Sequence, residues 1–138
     1  MNRSLIMAIT HQSTKADVLT ALQSDGYQLM NASSALQADK EVVLTAVRNN
    51  GRAIFYASDE LKKDREVVLA AVTNCGDALE HADESLQYDI ELVCIAINKS
   101  GWAWHYASPR LQNNKDVALL AIEKVVGDHL IWICLAQC

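Results

Sequence analysis

The chain has 138 residues, 51% of them hydrophobic, with one Pro, five Gly and only 6% aromatics; collagen-like, linker-like and disordered readings are excluded and one Ala/Val/Leu-rich helical domain is expected. Twelve Lys and Arg against seventeen Asp and Glu leave a net charge of -5, which lacks the basic footprint that phosphate neutralisation requires and argues against nucleic acid as a partner. The four cysteines, at 75, 94, 134 and 138, show no disulfide-scaffold spacing and read as reduced thiols of a cytoplasmic protein.

In chain order, residues 1–13 are expected to form an N-terminal cap, chiefly through residues 3–11. Their apolar stretch, Leu5 to Ile9, is too short for a signal peptide or a bilayer span, so no membrane contact is expected. Export into a host cell by a non-classical route would leave no mark of its own. A repeat begins at Thr14. Glycines at 26, 51, 76 and 101, alanines at 32, 57, 82 and 107, and leucines at 36, 61, 86 and 111 each recur at intervals of 25 residues. Asp39, Asp64 and Asp89 share a column with Thr14 and Asn114. The units are 14–38, 39–63, 64–88 and 89–113, followed by a partial copy at 114–127 whose glycine arrives one residue late, at Gly127.

Each unit should open with a helix, roughly eleven residues long, that an Asp such as Asp39 caps and a glycine such as Gly51 ends in the left-handed conformation. Val42, Val43, Ala46 and Val47 recur as Val67, Val68, Ala71 and Val72, and again as Leu92, Val93, Ala96 and Ile97; this spacing makes one broad helical face. A shorter apolar segment follows the glycine, AIFYA at 53–57 or ALEHA at 78–82, and reads as a second, short helix before a polar turn with one leucine. Such a unit cannot bury its own apolar face, so the copies must stack. The expected fold is therefore all-α: a short α-solenoid of about five 25-residue units, each a longer helix plus a short α or 3₁₀ helix. Residues 128–138, apolar nearly all round, should form a C-terminal cap helix that packs on the last unit or offers a homodimer contact.

The segments DKEVVLTAVRNNGRAIFYASDELKK, DREVVLAAVTNCGDALEHADESLQY and DIELVCIAINKSGWAWHYASPRLQN resemble a family of tandem helical repeats catalogued as a domain of unknown function. The likeness is specific over residues 39–113 and weaker at 14–38 and 114–127. It implies an architecture similar to leucine-rich variant repeats, in which an α-helix alternates with a short 3₁₀ helix. It also implies a setting in protist or intracellular bacterial proteins, secreted effectors among them, and supplies no catalytic residues.

Columns that stay constant between units serve packing or capping, so binding is expected in those that vary. Tyr56, His81 and Tyr106 fall in one such column, with Trp102 and His105 beside them. Aromatic side chains with a polar tip suit a protein interface, although the same residues would also fill gaps between neighbouring short helices. Trp104 shares a column with Leu29, Ile54 and Leu79 and reads as core. The second candidate is acidic: no Lys or Arg lies between Arg65 and Lys99, a stretch with seven carboxylates. Glu66 and Glu91 in that stretch complement a helix dipole, as Glu41 does, and Asp89 lies in the capping column, which leaves Asp77, Glu80, Asp83 and Glu84 as a patch that either steers a basic partner or is merely solvated.

No catalytic or metal set is nominated. His129, Cys134 and Cys138 match no zinc spacing, and Cys75 with His81 lacks a third residue to orient a base. The expected function is a non-enzymatic protein-interaction module, needing no cofactor, that binds a cellular or host protein or an extended, basic peptide. The alternatives are a stoichiometric inhibitor or regulator of an enzyme, and a self-assembling structural module that uses residues 128–138.

Overall fold

The structure, a computed structural model, describes residues 9–136, with side chains through Gly127. The expected N-terminal cap is thus described only from Ile9, and the side chains of the expected C-terminal cap and dimer contact lie outside the described residues.

Among the described residues the fold is an all-α solenoid, and its unit has three pieces. A ten-residue helix comes first: α1 (Lys15–Ser24), α3 (Lys40–Asn49), α5 (Arg65–Asn74) and α7 (Ile90–Lys99). A six-residue 3₁₀ turn follows, at Gly26–Asn31, Gly51–Tyr56, Gly76–His81 and Gly101–Tyr106. The polar turn is itself one turn of α-helix: α2 (Ser34–Gln37), α4 (Asp59–Lys62), α6 (Glu84–Gln87) and α8 (Pro109–Gln112). The last element, α9 (Lys115–Ala136), runs unbroken through Gly127, so no break separates the partial unit from the expected cap helix.

The caps explain these boundaries. The Asp39 carboxylate accepts from the backbone N–H groups of Glu41 and Val42 at 3.0 and 3.4 Å, and Asp64, Asp89 and Asn114 repeat the arrangement. At the other end Asn50 leaves the helix with extended backbone angles, and its side chain accepts from Arg52 N at 3.1 Å to start the 3₁₀ turn. Ser33, Ser58, Asp83 and Ser108 then cap the single α-turns.

The glycines do not act as the sequence suggests. No described residue has a positive φ, so Gly51 is not a left-handed helix stop. It is needed because the next unit comes so close: a Cβ on Gly51 would lie 2.3 Å from the Ala71 carbonyl oxygen, and Gly26 and Gly76 meet Ala46 and Ala96 in the same way. At each of these three glycines one 3₁₀ turn rests against the end of the following long helix.

Val42, Val43, Ala46 and Val47, with their counterparts in α5 and α7, are fully buried, as are Ala53, Ile54, Ala78 and Leu79 from the 3₁₀ turns. The core is thus one continuous file between the long helices and the turns. Backbone bonds tie the units on the far edge, where Ser58, Asp83 and Ser108 N–H groups donate to the carbonyls of Gln37, Lys62 and Gln87, each at 3.0 Å. In the first three units the first helical residue also reaches the next unit's cap. Lys15 pairs with Asp39 and Glu41, Lys40 with Asp64 and Glu66, and Arg65 with Asp89 and Glu91.

Candidate functional site

The variable residues lie on the 3₁₀ turns, and the period of that helix decides which of them face outward. With about three residues per turn, positions three apart eclipse. The glycine and the residue three after it (Leu29, Ile54, Leu79 or Trp104) point into the stack. The residue after the glycine and the one three beyond that point out: Tyr27 with Met30, Arg52 with Phe55, Asp77 with Glu80, Trp102 with His105. Trp102 and His105 stack face to face, ring centres 5.5 Å apart. All of these are exposed except the half-buried Asp77; Trp102 is 65% exposed, Phe55 54% and Met30 50%.

The column holding Tyr56, His81 and Tyr106 turns partly inward, and all three are half-buried. Tyr56 and Tyr106 pack against the core. The Phe55 ring meets Tyr56 and His81 edge-on at 5.1 Å each, and Tyr27 meets Tyr56 at 6.4 Å. The Phe55–His81 and Tyr27–Tyr56 contacts link neighbouring turns, so these rings fill the seams between units while their edges border the exposed outward residues. Burial pushes the His81 pKa below its ordinary value, which keeps the ring neutral near pH 7. Burial, with Glu80 and Asp77 close by, raises that of the Tyr106 hydroxyl.

The four acidic candidates separate into two kinds. Asp77 is half-buried and occupied: it pairs with Arg52 at 3.2 Å and accepts from the Ser100 hydroxyl at 2.9 Å. Asp83 caps α6, and the Ser85 hydroxyl and N–H hold its carboxyl below the usual range. Glu80 and Glu84 are exposed.

A description of tandem repeats catalogued as "Domain of unknown function (DUF4116)" matches residues 17–62, 39–87, 64–110 and 89–125, four overlapping spans that follow the stacked units. The chain belongs to the DUF4116 family. Comparison with curated proteins and with solved structures returns no match.

Within the DUF4116 units, the strip is positioned by Asn and Gln side chains outside the candidate binding residues. Asn74 Oδ1 accepts from Gly51 N–H at 2.7 Å while its Nδ2 donates to the Arg48 carbonyl at 3.1 Å, clamping two units at the start of the turn. Asn49 does the same between Gly26 and Gln23, whereas Lys99 stands in this column at the third junction. Gln112 Nε2 donates to the carbonyls of Trp104, His105 and Ala107, fixing the far end of its turn. Lys62, in the Gln column, instead lies over the Phe55 ring at 5.6 Å. Asn and Gln at these offsets were the available signal, since both carry a donor and an acceptor for bridging backbone groups.

Trp104 is half-buried, and its Nε1 is buried without an acceptor among the described residues. Cys94 is half-buried and its thiol pKa is raised by that burial; Cys75 is half-buried at the end of α5, beside the Arg52 guanidinium. Among the described residues no group of three or more His, Cys, Asp or Glu is placed to hold a metal, and no helix is long and apolar enough to cross a membrane. The side chains of His129, Cys134 and Cys138 lie outside the described set.

Proposed function

We propose that this DUF4116 chain is a non-enzymatic protein-interaction module that binds its partner along the outward residues of the 3₁₀ turns. The observation that carries this reading is the contrast within one turn. The inward positions repeat as Gly and a large apolar residue, Leu29, Ile54, Leu79 and Trp104, while the outward pairs change chemistry from unit to unit: Tyr27/Met30, Arg52/Phe55, Asp77/Glu80, Trp102/His105. A regular backbone thus displays four different surfaces in a row, three of them with large rings left in water at Tyr27, Phe55 and Trp102, and aromatic anchors of this kind dominate interface energies. Glu80 and Glu84 at mid-strip suit a partner with a basic segment facing that point.

The test is Phe55→Ala combined with Trp102→Ala. Both side chains are largely exposed, so melting and helicity should stay within about 0.5 kcal/mol of the parent. Proteins retained by the parent chain in quantitative affinity purification should be lost by the double variant. If both chains retain the same set, the strip is not the binding surface.

A further inference from the structure

Each long helix from α1 to α7 is covered by the 3₁₀ turn that follows it in the same unit. One column records that cover: Leu22, Val47, Val72 and Ile97 are fully buried, whereas Ile122, their counterpart on α9, is 57% exposed. The difference follows from chain path. Val126 stands where the other units have glycine, α9 continues as helix, and among the described residues no turn folds back over it. The result is an apolar groove of about 260 Å³ between the Gly101–Tyr106 turn and α9, walled by Trp102, Trp104, His105, Ile122, Val125 and Val126.

The inner units define what fits there. In the equivalent place behind Gly51–Tyr56 lies the next turn, whose Ala78 and Leu79 are fully buried against the previous turn and their own helix. We infer that the groove is a docking site for a short 3₁₀ turn of the type Gly-x-Ala-Leu or Gly-x-Ala-Ile carried by another polypeptide, which would extend the stack by one step. The groove is continuous with the unit-on-unit interface, and Ile122 stands in the column that the turns cover in the inner units, so the occupant needs a small residue followed by a branched aliphatic one. A second copy of this chain is a poor donor, because Ala53, Ile54, Ala78 and Leu79 are already fully buried in its own stack. The site adjoins the strip of the proposed function: Trp102 and His105 border both, while Ile122 and Val126 belong to the groove alone.

The probe is a synthetic peptide of residues 76–88, GDALEHADESLQY, which contains no tryptophan, titrated to millimolar concentration against the full chain while its tryptophan emission is followed. A saturable change is expected, absent for the same peptide carrying Leu79→Asp. Ile122→Asp and Val126→Asp, both at exposed positions, should each weaken binding at least tenfold while circular dichroism and melting stay unchanged. No saturable signal, or binding indifferent to both substitutions, overturns the proposal. So does sedimentation showing a dimer that Ile122→Asp dissociates, which would make the groove a contact between copies. Loss of the Phe55 and Trp102 interaction would leave this result standing, so the two proposals fail separately.

Discussion

Ile97 and Ile122 occupy the same column of the repeat, one in an interior unit and one at the end of the stack, and their surroundings differ completely. Ile97 is fully buried beneath the Gly101–Tyr106 turn; Ile122 is mostly in water. The other end of the chain is unlike both: Ile9 is buried against the first unit, and His11 Nδ1 is hydrogen-bonded to the Asn31 carbonyl at 3.0 Å. Burial in this solenoid is therefore decided by the 3₁₀ turns and not by the long helices that the repeat pattern makes most conspicuous. A long helix without its turn keeps its apolar face and loses its cover.

The largest expected effect tests that directly. Ile97→Ala removes a fully enclosed side chain and should cost about 2–5 kcal/mol, whereas Ile122→Ala, the same change in the same column, should stay within about 0.5 kcal/mol. Urea denaturation of both variants measures the pair. Equal losses would mean that α9 is covered in solution.

The second pair compares glycines. Gly51→Ala forces a methyl group against the Ala71 carbonyl at 2.3 Å, and overpacking of that kind costs typically about 1–3 kcal/mol. Gly127 has nothing within 4 Å of a built Cβ and sits inside α9, so Gly127→Ala should stabilise by about 0.5–1 kcal/mol through helix propensity. Opposite signs in thermal melts are the expected result, and a loss at both positions would mean that Gly127 also faces a close neighbour.

These residues also show what a reader of the sequence can and cannot see. The caps at Asp39, Asp64 and Asp89 and the faces through Val42 and Val67 are local chemistry repeated at fixed spacing, so they are legible. The reason for Gly51 is not, because the atom that excludes a side chain, the Ala71 carbonyl oxygen, is 20 residues ahead and arrives only when the units stack. The strip is legible by column but not by direction. Whether Phe55 or Tyr56 faces water depends on a period of about three residues per turn rather than about 3.6, and a six-residue segment is too short to declare which it adopts. The ion ladder is hidden for the same reason as the glycine contact: Lys40 and Asp64 are 24 residues apart and meet only across a junction.

The smallest expected effect turns an interior junction into a copy of the terminal one. Asp64 is a cap paired with Lys40 at 2.9 Å; Asn114 is a cap with the same backbone bonds, and the preceding unit offers it Ile90 in place of a cation. Lys40 is the main reason that the Asp64 carboxyl titrates below its ordinary value, with the Val67 and Glu66 N–H groups adding to it against the opposing effect of burial. A folded-state pKa below the unfolded value of about 3.9 means that this stabilisation is fully present above that pH and is lost as pH falls through the folded value. Asp64→Asn keeps the cap and deletes the titrating partner. The urea midpoint should fall slightly at pH 7, less so in high salt because the pair is partly exposed, and the parent and variant should converge as pH drops from 5 toward 2. The reverse substitution pair, Ile90→Lys with Asn114→Asp, should give the last junction the acid sensitivity that Asp64→Asn removes. If Asp64→Asn instead destabilises equally at both ends of that pH range, the carboxylate contributes through its cap geometry alone and the ladder between units carries no stability.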